Sequence, residues 1–406
     1  MNEKEKMDSL SRILEHHNYL YYVEAKPEIS DKEYDTLLEE LESLEYKYPS
    51  LVNPNSPTKR VGGQPLEYFE TKSHIVPMLS LSNTYSKQEL MDYDLRIRKL
   101  LPNNHIEYVI EPKIDGVAIS LRYEKGLLIN ALTRGDGAKG DDVTENIRTI
   151  RSIPMRLHSK NPPDVIEVRG EIYFDKKGFQ KLNLERQELG IASFANPRNA
   201  CAGSLKLLDA KEVAKRKLDA VFYNIGEYIG EPIETHEILL KSIQKLGFRI
   251  APQYWKTDNT SDLFSLLDEL QLIQDHFPFE IDGAVIKVND RTKYDLLGYT
   301  SKSPRWAVAF KYEPEQAETI LKDITIQVGR TGVLTPVAEL EPVELAGTTI
   351  KRATLHNLDE IRRKDIRIGD HVIIQKAGEI IPVVMNVVKS KRSQNFTQYE
   401  FPEICP

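Results

Sequence analysis

The 406-residue sequence contains only two cysteines, Cys201 and Cys405. Two thiols cannot build a disulfide framework, so the composition points to a reducing, cytoplasmic setting. No apolar run reaches the length of a bilayer span, and the opening MNEKEKMDSL has no apolar signal region, so neither a membrane segment nor a secretory leader is expected. No Gly-Lys dipeptide occurs anywhere, which excludes a P-loop. GDGAKG (135–140) has three glycines but lacks the strand-to-helix crossover of a dinucleotide fold, and it reads as a turn. An excess of positive charge is missing too: 55 Lys and Arg stand against 62 Asp and Glu, a net charge of −7. That total leaves nucleic acid open as a partner, because gripping phosphates needs a basic face rather than a basic sum. Residues 1–66 carry 8 basic and 13 acidic side chains, whereas residues 315–406 carry 12 and 13, with a local cluster at Arg362, Arg363, Lys364 and Arg367.

What is present suits a globular chain: 40% hydrophobic and 29% charged residues, at a length that implies two or three domains. Over residues 1–66, Met7, Leu10, Ile13, Leu14 and Tyr21 fall near a 3.6 period, as do Tyr34, Leu37, Leu38, Leu41 and Leu44, which predicts a helical module. Ser30 and Glu33 form an S-x-x-E capping box, so the second helix should start there. The proline-bearing YPSLVNPNSPTKRVGG (48–63) reads as a linker. Over residues 67–314 strands and helices mix without regular alternation, which predicts an α+β domain with mainly antiparallel sheets. VIEVRGEIYF (165–174) alternates, with Glu167, Arg169 and Glu171 on one face and Ile166, Val168 and Ile172 on the other, and AVIKV (284–288) is a shorter strand carrying Lys287. Residues 315–406 switch to short strands and turns, ITIQVGRTGVLTPV and HVIIQKAGEIIPVVMNVV, which suits a small β-barrel of the oligonucleotide-binding (OB) type. The fold class is therefore multidomain α+β: a helical module (1–66), an antiparallel α+β domain (67–314) and a barrel (315–406).

The chemistry centres on EPKIDG (111–116). K-x-D-G is short and weak taken alone, and a surface lysine beside a turn would satisfy it. Its context is apolar, however: Ile110, Ile114, Val117 and Ile119 surround Lys113, and an extended chain would put Glu111, Lys113 and Asp115 on one face. A partly buried lysine is costly unless paired or used, and a deprotonated amine there can attack phosphorus or a carbonyl. TRGDG (133–137), EVRGEIYF (167–174), FANPRNACAGSLK (194–206), EIDGAVIKV (280–288) and SPRWAVAFKY (303–312) follow in order, each mixing charge with glycine, proline or aromatics. Within them Arg134 and Arg198 could clamp phosphates, and Glu171 and Asp282 are acids suited to a ribose hydroxyl or hydrated Mg²⁺. Lys287 and Lys311 could neutralise a phosphorane.

This ordered set of motifs resembles the NAD-dependent DNA ligases of bacteria, and the resemblance runs along the whole chain. It implies a nucleotidyltransferase domain at 67–314, with Lys113 as the lysine that becomes adenylated. It also implies a nucleotide pocket of Ser80 and Leu81 in PMLSLSN with Glu111, Asp115, Arg134, Glu171, Lys287 and Lys311. HNYLYYVEAKPEISDKEYD resembles the family's nicotinamide-mononucleotide (NMN) module and implies Tyr21, Tyr22, Asp31, Tyr34 and Asp35 around that half of NAD. Tyr34 and Tyr21 also fit the helices' apolar stripes. Phosphate or DNA contacts are implied at Arg198, Lys206 and Arg330, and Mg²⁺ near Glu171 and Asp282 through water. Lys206 and Gln274 stand where the family usually has arginine, so the bidentate fork is lost at the first and the charge at the second.

The chain stops at FPEICP, where the family continues into a four-cysteine zinc module, helix-hairpin-helix repeats and a phosphopeptide-type domain. Cys405 would be the first ligand of an incomplete zinc site, Zn²⁺ being expected only in a longer chain, and the sequence reads as a truncated catalytic part. The implied reaction takes AMP from NAD onto Lys113 with release of NMN, passes it to the 5′-phosphate of nicked double-stranded DNA, and seals the strand with the 3′-hydroxyl. A monomer in the cytoplasm is expected. Two other readings stand beside it. One is an ATP- or GTP-using nucleotidyltransferase of RNA-ligase or capping type, whose plan does not call for the Tyr- and Asp-rich segment at 19–35. The other is a non-catalytic nick-binding scaffold.

Overall fold

The computed structural model describes residues 2–22, 28–53, 55–59, 68–191, 193–194, 196–312, 316–328, 334–345, 348–377, 381–392, 396 and 399. The chain divides into two compact units, Met1–Lys311 and Tyr312–Pro406. Among the described residues no helix is long and apolar enough to cross a membrane.

The first unit opens with helices Glu3–Tyr22 and Asp31–Lys47. The second begins where the capping box placed it. Ser30 Oγ accepts from the Glu33 backbone N–H at 3.3 Å, and the Ser30 backbone N–H donates to Glu33 Oε2 at 2.9 Å. Met7, Leu10, Leu14, Leu41 and Leu44 form a small core between the helices, each contributing roughly 1.5–3 kcal/mol relative to exposure. Ile13 falls off that stripe and is exposed. Where it is described, at 48–53 and 55–59, the expected linker is folded. Pro49–Leu51 and Pro57–Lys59 are 3₁₀ turns, Asn55, Ser56 and Pro57 are buried, and Asn55 Nδ2 donates to the Leu128 carbonyl at 3.1 Å. Proline signals that a regular element ends; it does not exclude the tight, side-chain-capped turns that follow.

Two sheets make the body of this unit. One has five strands in the order Ser82–Thr84, Ala307–Phe310, Ile281–Val288, Tyr108–Ile114, Trp255–Thr257. The other has four, in the order Leu127–Thr133, Val117–Glu124, Val165–Tyr173, Asp219–Ile229. All pairings in both are antiparallel except that of Ser82–Thr84 with Ala307–Phe310. The larger core lies on one face of the four-stranded sheet, where Ile166, Val168 and Ile172 meet Tyr123, Phe222 and Phe248. Tyr123 packs edge-on against Phe248 at 5.5 Å between centroids and donates its hydroxyl to the Pro154 carbonyl at 2.7 Å. The opposite face, carrying Glu167, Arg169 and Glu171, is buried as well. Alternation separates two faces without saying that the polar one meets water.

The second unit is a closed five-stranded barrel, Gln316–Val328, Leu334–Leu345, Thr348–Thr354, Ile381–Val387 and His371–Ala377 in spatial order. Leu321, Leu340, Val372, Ile374 and Val384 fill it. Arg392 fastens the segment after the last strand: Nε and Nη2 each donate to the fully buried Asp370 at 2.7 Å, and Asp365 takes a further pair. The local basic cluster is largely spent inside the unit. Arg363 and Lys364 pair with Glu360 at 2.7 and 3.1 Å, and Arg367 pairs with Asp365 at 3.2 Å.

Candidate active site

The K-x-D-G motif sits where the chain passes from one sheet to the other. Lys113 is the penultimate residue of Tyr108–Ile114, and Val117–Glu124 begins the second sheet directly after Asp115 and Gly116. Glycine is required at this passage: a Cβ on Gly116 would lie 2.2 Å from the Ile172 carbonyl oxygen and 2.8 Å from Glu171 Cγ. The neighbouring strand is irregular opposite the motif. Its register with Tyr108–Ile114 shifts between Ile281 and Ala284, and Gly283 there has φ +139°. This bulge holds Asp282, whose oxygens accept from Lys113 Nζ at 2.7 and 2.8 Å. Lys311 Nζ, just past the end of Ala307–Phe310, approaches the same carboxylate at 3.0 Å. Asp282 is thus the anion shared by two ammonium groups, whereas the motif alone suggested an acid turned toward metal or ribose.

The four-stranded sheet supplies the second wall. Glu171 is buried and accepts from the Tyr223 hydroxyl at 3.1 Å. Burial pushes its carboxyl up to about 7, against the opposing pull of the Tyr223 hydrogen bond and the charges of Arg198 and Lys113. Arg198 Nη1 donates to Asp115 Oδ1 at 2.8 Å, so the aspartate of the motif is held by the helix Pro197–Leu205. Lys206, at the end of that helix, is half-exposed and pairs with Asp141 at 2.8 Å. Gln274, the other departure from the family's pattern, accepts from Lys176 Nζ through its backbone carbonyl at 3.4 Å.

On the five-stranded sheet, Glu111 and Lys287 meet in the interior: Lys287 Nζ lies 2.5 Å from Glu111 Oε2 and donates to the Tyr223 carbonyl at 3.1 Å. His236 is also fully buried against Glu111, with Nε2 2.8 Å from Oε2. Burial works against the charge on Glu111, yet Lys287 and His236 hold its carboxyl down at about 2. Burial also pushes the His236 imidazole down to about 4 and lowers Lys287, which Glu111 opposes.

The segment with Ser80 and Leu81 is anchored from two sides. Arg169 Nη1 donates to the Pro77 carbonyl at 3.0 Å and Nη2 to that of Val76, while the Met78 backbone N–H donates to Gly137 O at 2.9 Å. GDGAKG is indeed a turn, and it braces this segment. His74 Nε2 lies 3.1 and 3.2 Å from the carbonyls of Thr133 and Arg134. Ser80 and Arg134 are exposed and Leu81 is half-buried.

In the helical module Tyr21 is 48% exposed and Asp35 is exposed, while Tyr34 packs beside the small core and accepts from Asn18 Nδ2 at 2.9 Å. The side chains of Tyr22 and Asp31, and the residues Arg330 and Cys405, lie outside the described residues. Among the described residues no group of three or more His, Cys, Asp or Glu could hold a metal ion. Three residues of this region carry no motif signature, Tyr223, His236 and His74, and a fourth, Arg169, is given no role by its motif. Arg169 lies on the charged face of EVRGEIYF, a faint signal; the others occupy positions that only the tertiary fold defines.

Comparison with known proteins gives this geometry its relatives. Residues 66–315 match the NAD-dependent DNA ligase adenylation domain, residues 318–396 the NAD-dependent DNA ligase OB-fold domain, and residues 1–62 the DNA ligase-like N-terminal NAD⁺-binding domain. The chain is 50% identical over 406 residues to a DNA ligase of Thermoanaerobacter sp. (strain X514), covering 100% of this chain and 61% of that protein. It is 50% identical over 414 residues to a DNA ligase of Pelotomaculum thermopropionicum, covering 99% and 60%. It therefore spans about three-fifths of the length of the curated relatives it matches. With domain matches in sequence along nearly all of its length and half its residues identical to those of these ligases, the chain belongs to the NAD-dependent DNA ligase family.

Proposed function

We propose that this chain adenylates itself on Lys113 with NAD, releasing NMN, and serves the sealing of nicked duplex DNA by passing AMP to the 5′-phosphate for displacement by the 3′-hydroxyl. The observation that carries this reading is the seat of Lys113: a partly buried amine at the seam of two sheets, hydrogen-bonded to Asp282, with Lys311, Glu171 and Arg198 around it. Attack on phosphorus needs a free amine, and Asp282 is placed to take its proton while remaining paired with Lys311. Lys287, Lys311 and Arg198 then offset the charge of the transferring phosphoryl group, the main task in such chemistry.

In this reading Ser80, Leu81, Glu111, Asp115, Arg134, Glu171, Lys287 and Lys311 surround the adenylate. Tyr21, Tyr22, Asp31, Tyr34 and Asp35 serve the NMN half within a module at 1–66. Arg198, Lys206 and Arg330 take phosphate, Arg330 from a barrel domain at 315–406. The family's Mg²⁺ does not fit as an ion caged by this pocket's own side chains, since Asp282 is engaged by two lysines and Glu171 is buried with a raised pKa. A hydrated ion carried on the nucleotide's phosphates suits the pocket better. Zinc at Cys405 would need ligands beyond this sequence. A monomer acting in the cytoplasm completes the proposal.

The direct test is intact and peptide mass spectrometry after incubation with NAD, ATP or GTP. The expected result is one AMP adduct on the Lys113 peptide with stoichiometric NMN from NAD, and none from ATP or GTP. An adduct from ATP with release of pyrophosphate would favour the RNA-ligase or capping type, and no adduct from any nucleotide would favour the scaffold.

Arg169 offers a second test. Arg169→Met should raise the KM for NAD about 10-fold, the loss expected when the Val76 and Pro77 carbonyls both lose a charged donor, and Arg169→Lys should recover little because it lacks the fork. Unchanged NAD kinetics in both variants would show that the Val76–Leu81 segment needs no such clamp.

A further inference from the structure

The Glu111–Lys287 pair is held by a third group that no motif announces. His236 opens the helix His236–Lys245, capped by Thr235, whose Oγ1 accepts from the Ile238 backbone N–H at 3.1 Å. Its own backbone N–H donates to Asn289 O at 2.8 Å, and Asn289 Oδ1 accepts from the Glu237 backbone N–H at 3.0 Å. The helix start is thereby fastened to the residue following the strand that bears Lys287. The imidazole is fully buried and its Nε2 faces two opposite charges, Glu111 Oε2 at 2.8 Å and Lys287 Nζ at 3.1 Å.

Nε2 cannot serve both neighbours: it donates to Glu111 or accepts from Lys287, and because the contact to Glu111 is the shorter and Lys287 already has Glu111 and the Tyr223 carbonyl as acceptors, the first arrangement selects the tautomer. With the proton on Nε2, the ring donates to the carboxylate. With the proton on Nδ1, an Nε2 lone pair would stand against a carboxylate oxygen at hydrogen-bond distance, which is repulsive. Nδ1 itself has no hydrogen-bond partner among the described residues, so the ring is oriented through Nε2 and its backbone. Lysine and glutamate are long, rotatable side chains, and their pairing alone does not fix where either ends. The ring N–H and the ammonium converge on the same oxygen, Oε2, which removes the rotation of the Glu111 carboxylate and with it the freedom of Lys287.

We propose that His236 is a positioning residue for the adenylation step: as the neutral Nε2–H tautomer it sets the pose of the Glu111–Lys287 pair, and through that pair the affinity of the pocket for NAD. This rests on the reading of Lys113 as the amine adenylated from NAD. His236 acts through its two neighbours, so its loss weakens nucleotide binding more than the phosphoryl transfer itself.

Two measurements test it. In the kinetics of AMP-adduct formation, His236→Phe is expected to raise the KM for NAD about 10-fold while kcat changes less than about 3-fold, the scale of one lost hydrogen bond to a charged group. His236→Gln, whose side-chain amide can replace the Nε2 donor, is expected to bring KM back to within about 3-fold of the parent. Equal defects in both variants, or a fall in kcat at unchanged KM, would overturn the assignment. In ¹⁵N-labelled full chain, the His236 ring is expected to show the neutral Nε2–H pattern from pH 6 to 8. A protonated ring or the Nδ1–H form would overturn it without reference to catalysis. If the parent chain forms no adduct with NAD, the functional reading fails, and the tautomer measurement still decides whether His236 donates to Glu111.

Discussion

Lys113→Arg should abolish AMP-adduct formation, by at least about 10³-fold, while leaving the fold in place. The guanidinium keeps its proton at any accessible pH and so has no lone pair to offer phosphorus. It can keep the charge and a contact with Asp282, so the shared-anion arrangement with Lys311 has a cation on each side in the variant too. Far-ultraviolet circular dichroism and a thermal melt should be near those of the parent. Detection of a full AMP adduct in the variant would move the nucleophile elsewhere, and Lys287 or Lys311 would be the first alternatives to map.

Removal of residues 1–66 should cut NAD-driven adenylation by about two orders of magnitude or more, because the contacts proposed for the NMN half would all be gone and binding energy remote from the reacting atoms is what raises the rate. The two helices have their own core of Met7, Leu10, Leu14, Leu41 and Leu44, so their loss does not empty the main one. The shortened chain should still close a nick that already carries AMP on its 5′-phosphate, a step that needs no NAD. If it released NMN from NAD at the parent rate, the cofactor would have to be recognised by residues 67–314 alone. If closure of the adenylated nick disappeared as well, the helices would be needed for more than the cofactor.

The local parts of this structure were legible because local rules decide them. Ser30 and Glu33 mark a helix start within four residues, and the alternation of VIEVRGEIYF requires a strand wherever it lies. The turn of GDGAKG and the small barrel were legible for the same reason. What escaped depended on contacts far apart in sequence. Proline spacing made residues 48–63 look like a linker, but Asn55 finds a carbonyl at Leu128 and holds its described stretch, 55–59, to the sheet. Asp282 carries no mark that it will bridge two lysines; the bulge that aims it is a property of the paired strands. His236 sits at an ordinary capped helix start, and nothing near it in sequence foretells Glu111 across the core.

The passage at Gly116 gives the chain a mechanical property. Lys113 is rooted in one sheet, while three residues later the backbone is pressed against the Ile172 carbonyl and the stem of Glu171 in the other. The reach of the amine is therefore a function of the angle between two β-layers rather than of its own rotamer alone. A single methyl group at position 116 would act as a wedge driven into a hinge, prying the layers apart and swinging the lysine off its line of attack. Every polar contact at Asp282 could survive such a change while the chemistry stalled for want of alignment.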